Sequence, residues 1–333
     1  MGNALGQWVI SLALLAGSGA GAAAAEPITL MVGGMEKIIY LPVKLADKLG
    51  YFAQEGLQVN LQSEWAGIHG ADSLLVRSVQ GVVGFYDHTI YMQSRGKAVV
   101  SVVQFAQAPG EVELVASHLQ KPVRTMADLK DCTLGVTGLG SSTQFLSRYL
   151  VASAGLKLNQ VTFIPVGTGE TFINAMNHGS IQAGMTTEPT ASRLLESGRA
   201  RVLVDLRTPE DTARALGGPY PASCLYMETS WVNNHKPEVQ KLVNALVRAL
   251  RYIQAHTAAE LAAQVPSEFW AGNRATYTKA LARSKPIFIP DGRMPANGPA
   301  NVLRVLTLTE KSVREKTIDL ASTFTSEFVN AAH

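Results

Sequence analysis

Gly135-Val136-Thr137-Gly138-Leu139-Gly140-Ser141-Ser142-Thr143-Gln144, followed by Phe145, Leu146, Tyr149 and Leu150 at helical spacing, decides how this chain is read. Apolar residues up to Val136 predict a strand end, Gly138 and Gly140 a tight turn, and Ser141-Ser142-Thr143 the opening of a helix. A strand entering a helix through such a turn aims unpaired backbone N–H groups, the positive end of the helix dipole and small hydroxyls at one point. That point suits an anionic group. The alternative is that Ser141 or Ser142 only caps its own helix, as serines at helix starts do. No Lys follows the last glycine, so this is not a Walker loop. The third glycine and the downstream acidic residue of the dinucleotide fingerprint are missing too.

Outward from this turn the chain alternates. Apolar runs at residues 27–32, 58–62, 81–85, 99–105, 113–117, 133–136, 161–166, 181–185, 201–206 and 222–228 predict strands. Helical spacing falls between most of them, at 39–50 and 71–80 for example, with a short helix at 125–131. Strands alternating with helices and turn glycines predict open, mostly parallel α/β sheets, and the pattern of 27–105 begins again at 125 without any sequence repeat. Residues 65–70 and the Gly/Pro-rich stretch 209–221 read as loops. From Pro237 the chain turns helical, with an apolar face of Val239, Leu242, Val243, Leu246, Val247 and Leu250. Further helices are expected at 258–265, 274–283, 300–310 and 318–328, and these would cover the sheets.

A length of 333 residues suits two lobes better than one core, and 47% apolar with 17% charged residues describes a well-packed chain. A net charge of +3 with no Lys/Arg block excludes nucleic acid as an expected partner. The first 25 residues contain no charged side chain; residues 8–16 form an apolar core, and Ala23-Ala24-Ala25 before Glu26 gives a small-x-small cleavage pattern. Export with cleavage near Ala25 is the expectation, and an uncleaved membrane anchor is the competing reading. Cys132 and Cys224 show no metal spacing, so no metal site and no cofactor are expected; the two are read as separate buried thiols, with pairing across one lobe as the alternative.

The run Leu41-Pro42-x3-Ala46-x3-Gly50-Tyr51-Phe52-x2-Glu55-Gly56-Leu57-x-Val59 resembles the opening of the nitrate/sulfonate/taurine-type substrate-binding proteins of ATP-binding cassette importers, a group that includes thiamine-pyrimidine binders. The resemblance continues through Gly135-Val136-x3-Gly140-Ser141-Ser142-Thr143, Pro165-Val166-Gly167, Ala175-x3-Gly179-x-Ile181-x-Ala183 and Glu188-Pro189. It implies a two-lobed periplasmic binding protein of type II, each lobe a mostly parallel sheet flanked by helices, with two crossings between lobes. One lobe would comprise residues 26–113 and 229–333, the other 114–228, after a signal segment at 1–25. It further implies a monomer that takes a small-molecule ligand in its cleft and presents it to a membrane permease.

Loops at the carboxyl ends of parallel strands gather at such a cleft. They select Met35, Glu36, Trp65, His69, Tyr86, Asp87, His88 and Thr89 from one lobe, and Ser141, Ser142, Thr143, Thr168, Thr186, Thr187 and Glu188 from the other. Residues 141–143 would hold a carboxylate or sulfonate, Trp65 would stack on an organic ligand or fill core, and His69 and His88 would donate to an anion or serve the structure. Asp87 is read as orienting His88 or capping the next helix, and Glu188 as a carboxylate at a helix start. No arginine is expected in the post-strand loops, so either the anion is held mainly by dipoles and hydroxyls or the ligand is partly neutral, such as a heterocycle with an acidic tail. The reading is therefore a non-enzymatic binding protein for a small organic anion. A pyrimidine-type heterocycle, an enzyme on the same scaffold and a ligand sensor are the alternatives; no G-x-S-x-G elbow and no HExxH supports the enzyme.

Overall fold

The apolar runs pair into two five-stranded sheets in the computed structural model, which describes residues 27–333. The export segment expected at residues 1–25 lies outside the described residues. The first sheet has the order β2-β1-β3-β10-β4, built from β1 (Ile28–Val32), β2 (Val59–Ser63), β3 (Gly81–Phe85), β4 (Val99–Gln104) and β10 (Ser223–Glu228). The second has the order β7-β6-β8-β5-β9, from β5 (Glu111–Ala116), β6 (Thr133–Val136), β7 (Thr162–Pro165), β8 (Ala183–Thr187) and β9 (Ala200–Leu206). In each sheet one strand, β10 or β5, runs antiparallel to both neighbours. Strands β3, β4, β5 and β8 are buried at every position, so both faces of these sheets need cover.

Helices supply it. Between the strands of the first sheet lie α1 (Leu41–Lys48), α2 (Tyr51–Gln54), α3 (Gly67–Leu75) and α4 (Asp87–Ser94). Among those of the second lie α5 (Ser142–Ser153), α6 (Glu170–Asn177), α7 (Thr190–Glu196) and, after β9, α8 (Pro209–Leu216). The rest of the chain adds α9 (Thr229–Asn234), α10 (Lys236–Ala255), α11 (Ala258–Gln264), α12 (Arg274–Ser284), α13 (Gly298–Thr309), α14 (Lys311–Arg314) and α15 (Glu327–Ala331). The apolar face of α10 packs with α1 and β4 in one core, while Phe172, Met176, Ala191 and Leu194 of α6 and α7 cover the far face of β5. A third core runs from Met31, Val82 and Ile90 on the first sheet's side to Leu134, Phe145 and Leu150 on the second's.

Four sequence expectations change in this fold. Strand β10, expected in the 114–228 lobe, is hydrogen-bonded between β3 and β4, and β5 lies wholly in the second sheet from Glu111 onward. The crossings are therefore residues 107–110 and 207–222, and each sheet takes its antiparallel strand directly after a crossing. The two crossings lie side by side: Ala222 N–H donates to Ala106 O at 3.0 Å and Phe105 N–H to Ser223 O at 2.8 Å. Gly110 needs its positive φ of 66° and its missing side chain, because a Cβ there would stand 2.6 Å from Ile39 Cγ2.

The stretch 209–221 is not a loop throughout. Thr208 caps α8 by accepting from Asp211 N–H at 3.1 Å, Pro209 fills the first turn, and Gly217 ends the helix at φ 71°. Nor is 318–328 one helix. The Asp319 side chain caps a single turn at Leu320–Ser322, after which Ser101 N–H donates to Thr323 O and Thr325 N–H to Ser101 O, drawing the chain alongside β4. The helix that follows β2 also starts earlier than expected, so His69 sits in α3 and not in a loop.

The C-terminal helices join the two halves. The chain leaves the first sheet at Gly292, which accepts from Gln104 N–H, and α13 then lies against α5 through Val302, Val305 and Leu306. Arg304 donates to Tyr149 Oη at 3.0 Å, and Arg148 to Thr309 O at 2.9 Å. Ser312 and Asp319 then return to Ser94 and Gln93 of α4.

Candidate functional site

The focal turn folds as its residues dictate, β6 entering α5 through Gly138 and Gly140. Ser141 stands at the N-cap position with φ −81° and ψ 163°, but its hydroxyl donates to Gly138 O at 2.6 Å and does not cap the helix. Thr143 Oγ1 accepts from Thr137 N–H at 3.0 Å and lies 2.9 Å from Thr137 Oγ1. The backbone N–H groups of Ser142 and Thr143 have no acceptor among the described residues. So Thr137, Ser141 and Thr143 spend their hydroxyls within the turn, and the N–H groups of Ser142 and Thr143 stay free, against the capping alternative.

The first sheet's loops close over that end. Ala66 and Ile68 lie against Gly138, where an added Cβ would stand 2.8 Å from Ala66 Cβ. Ser142 Oγ donates to Asp87 Oδ1 and Tyr220 Oη to Asp87 Oδ2, both at 3.0 Å, and His88 Nε2 is 3.3 Å from Gly140 O. Ile38 N–H donates to Glu188 O at 3.1 Å. Asp87 is fully buried, and burial raises its carboxyl above the usual range despite the nearby His88 and the two hydroxyl donors.

Between the two sides is a cavity of about 10 Å³, roughly one water-sized sphere. Lys37, Tyr40, Phe85 and His88 line it from the first sheet's side; Glu111, Thr137, Ser141, Ser142, Thr143 and Thr187 line it from the second's. Lys37 Nζ donates to Gly33 O at 2.5 Å and Trp65 O at 3.1 Å, and Lys44 Nζ to Lys37 O at 3.2 Å. Burial lowers both amines, Lys44 to about 7. On the opposite charge, Glu111 is 2% exposed with Oε2 unpartnered, and burial holds it well above the carboxylate range. Two residues along the same face of β5, Glu113 accepts from Ser147 Oγ at 2.6 Å, and burial pushes it up to about 8. The hydroxyls of Thr186 and Thr187 and Nδ1 of His88 are likewise buried without hydrogen-bond partners, His88 Nδ1 lying 3.5 Å from Asp87 Oδ1. A larger hollow, about 380 Å³ around Arg77 and Trp231, lies on the first half alone, away from this seam.

Of the residues selected from sequence, the structure brings His88, Ser141, Ser142, Thr143 and Thr187 into the cavity, with Asp87 one hydrogen bond behind. Thr186 is buried beside Thr187, and Glu36 has a buried, unpartnered Oε1 outside the lining. Trp65 is no core residue: it is 58% exposed, its ring lies against Gly167 across the seam, and its Nε1 donates to His69 Nδ1 at 2.5 Å. Five selected residues do other work. Tyr86 Oη meets Thr323 Oγ1 at 2.5 Å, Thr89 Oγ1 donates to Tyr86 O, Thr168 pairs with Thr190, Met35 N–H donates to Ser63 Oγ, and Glu188 accepts from Ser192 N–H and Arg207.

Arg207 is the arginine that sequence reasoning excluded. It follows β9 directly, is 4% exposed, and pairs with Glu188 Oε1 at 2.8 Å and Asp205 Oδ2 at 2.6 Å, so its charge is committed away from the cavity. Lys37, Tyr40, Glu111 and Thr137 were missed. Thr137 lay within the focal stretch, and Lys37 adjoined a selected loop residue. The cysteines are free and buried, Cys224 in the first sheet and Cys132 before β6 of the second, so they do not share one lobe.

Residues 23–267 match the model of the NMT1-like family. A Bordetella bronchiseptica RB50 protein of solved structure is 33% identical, with a TM-score of 0.88 over 92% of this chain and 96% of that one. The alkanesulfonate-binding protein SsuA from Xanthomonas axonopodis pv. citri, solved with MOPS bound, superposes with a TM-score of 0.66 at 20% identity over 91% and 99% of the two chains. The periplasmic nitrate-binding protein NrtA from Synechocystis PCC 6803 gives 0.71 at 14% identity over 92% and 88%. The chain thus has the two-lobed periplasmic binding protein fold.

Proposed function

The chain belongs to the NMT1-like family, and from that premise we propose that it is an exported solute-binding protein of an ATP-binding cassette importer, capturing a small organic anion between its lobes for a membrane permease. The observation that carries this reading is the free N-terminal end of α5, facing a seam that both lobes line with buried polar groups. A sulfonate or carboxylate placed there accepts from the Ser142 and Thr143 N–H groups and meets the positive helix end. Cleft-lining residues come from different sheets, so binding energy favours the closed arrangement over the open one, and the closed form is the one a permease can distinguish. A cavity of about 10 Å³ is smaller than any organic anion, so entry requires the seam between Asp87 and Ser142 to part.

The test is a thermal-shift screen of the chain lacking residues 1–25 against alkanesulfonates, carboxylates, nitrate and pyrimidines. A true ligand at a hundred times its Kd stabilises the fold by about 2.7 kcal/mol and raises the melt. A sulfonate or carboxylate is expected to do so, and exchange of Ser142 for Leu is expected to abolish the shift while leaving the unliganded melt cooperative. A shift produced by pyrimidines alone replaces the anion with a heterocycle; no shift from any class ends the proposal.

A further inference from the structure

The free end of α5 faces a carboxyl that belongs to the chain itself. Asp87 opens α4 on the first half, is fully buried, and accepts from Ser142 Oγ, on the first residue of α5, at 3.0 Å. Its second oxygen accepts from Tyr220 Oη in the second crossing, also at 3.0 Å. One carboxyl thus ties both halves and a crossing together at the start of the helix. No Lys or Arg nitrogen lies within 4.0 Å of it among the described residues; the base beside it is His88, with Nδ1 3.5 Å from Oδ1. Arg207, a buried guanidinium of the second half, is committed to Glu188 and Asp205. Two more buried acids face Asp87, Glu111 from β5 and Glu310 just after α13. The phenols of Tyr40, Tyr220 and Tyr226 and the Cys224 thiol face it too, and burial holds all four above their usual ranges, hence uncharged.

Resting on the anion-capture reading, we infer that Asp87 is a built-in competitor for the ligand's oxyanion: the oxyanion displaces its carboxylate from Ser142, and Asp87 takes up one proton from solvent as the ligand settles. A helix end carries about half a positive charge, enough to favour one anion and not two. Two like charges in one buried seam push a proton onto one of them. A sulfonate is too weak a base to take it, so it goes to Asp87. That carboxyl is poised between opposing pulls, since burial raises it while His88 and the two hydroxyl donors lower it. Ser142 Oγ–H then turns from Oδ1 to the ligand, and Tyr220 still donates to Oδ2. Binding on this scheme weakens as pH rises, because the bound state holds a proton that the free protein has released. A fixed tie that never leaves Ser142 makes the opposite forecast: no proton moves on binding.

The test is titration calorimetry at pH 8 on the chain lacking residues 1–25, with propane-1-sulfonate and with butanoate, in Tris and in triethanolamine. These cationic buffers differ in ionisation heat, so the difference in binding heat counts protons. Wild type is expected to take up at least about half a proton per ligand, which weakens binding about threefold or more between pH 7 and pH 8. Asp87→Asn keeps an acceptor for Ser142 without the charge, so uptake should fall below about 0.2 proton and the pH dependence should flatten. Tyr220→Phe removes one donor from the carboxylate, so Asp87 keeps its proton to higher pH and uptake at pH 8 should fall as well; this variant decides the matter should the Asn variant not fold. Titration of Glu113, Lys37 and Lys44 is common to all three proteins and drops out of the comparison. No uptake by wild type, or uptake that persists in D87N because His88 or Glu111 carries the proton, overturns the inference and leaves anion capture standing. If neither probe binds, the anion-capture reading fails and this inference falls with it.

Discussion

Glu113→Gln should change how stability responds to pH, and the structure sets both the sign and the size. Glu113 is fully buried on β5, with one oxygen accepting from Ser147 and the other unpartnered. Burial raises the folded carboxyl to about 8 from an ordinary 4.5, so the folded chain keeps a proton that the unfolded chain has already released. This contribution is complete below pH 4.5 and is lost as pH rises through about 8. The window from 4.5 to about 8 at about 1.4 kcal/mol per unit amounts to about 5 kcal/mol. Gln cannot ionise and still accepts from Ser147, so the variant escapes the loss. Lys44 acts with the opposite sign: lowered to about 7, it adds stability as pH rises from 7 towards 10.5, but equally in both proteins, and cancels from the difference. Urea unfolding, followed by tryptophan fluorescence and far-ultraviolet circular dichroism between pH 4.5 and 8.5, measures that difference. The variant should gain on wild type steadily as pH rises, by up to about 5 kcal/mol. A difference that stays within about 1 kcal/mol across the range would refute the argument, because Glu113 would then ionise alike in both states.

Two further outcomes are expected. Gly138→Ala places a methyl 2.8 Å from Ala66 Cβ across the seam, so it should weaken ligand binding through imperfect closure, by about tenfold in a calorimetric titration, with the far-ultraviolet spectrum unchanged; undiminished affinity would mean the seam is already loose there. Arg207→Met leaves Glu188 buried with the Ser192 N–H and, at 3.8 Å, Arg283 as its remaining partners, which should cost about 3–5 kcal/mol in urea unfolding; a change below about 1 kcal/mol would refute the argument that this buried pair is needed.

The alternation of strands and helices was legible because buried parallel strands and glycine-ended helices leave local signals, and the turn from Val136 to Ser142 carried its geometry in its own residues. Strand β10 was legible as a strand but not as a member of the first sheet, since its partners Phe85 and Gln104 lie more than a hundred residues away and nothing local names them. Helix α8 was a readable miss: Thr208, Pro209, Asp211 and Gly217 spell a capped start and a left-handed stop, and the surrounding glycines and prolines outweighed them. Glu111 escaped for a topological reason. The rule that sites gather at carboxyl ends holds for parallel strands, but β5 runs backwards, so its first residue pairs with Thr187 at the last position of β8. For the same reason Ser223, opening β10, lies beside Phe85. An antiparallel member brings its amino end to the cleft, and selecting post-strand loops passes over it.

The paired crossings restrict how this molecule can move. Ala106 and Ala222 are bonded to one another, Pro109, Pro219 and Pro221 have fixed φ angles, and Gly110 is wedged against Ile39, so few torsions remain to pivot about. On the capture reading proposed above, the halves would open about these crossings, and a guest's stay would depend on how readily they turn as well as on the contacts that grip it. Two guests of equal affinity could then leave at similar speeds despite touching different side chains, because both must wait for the same door.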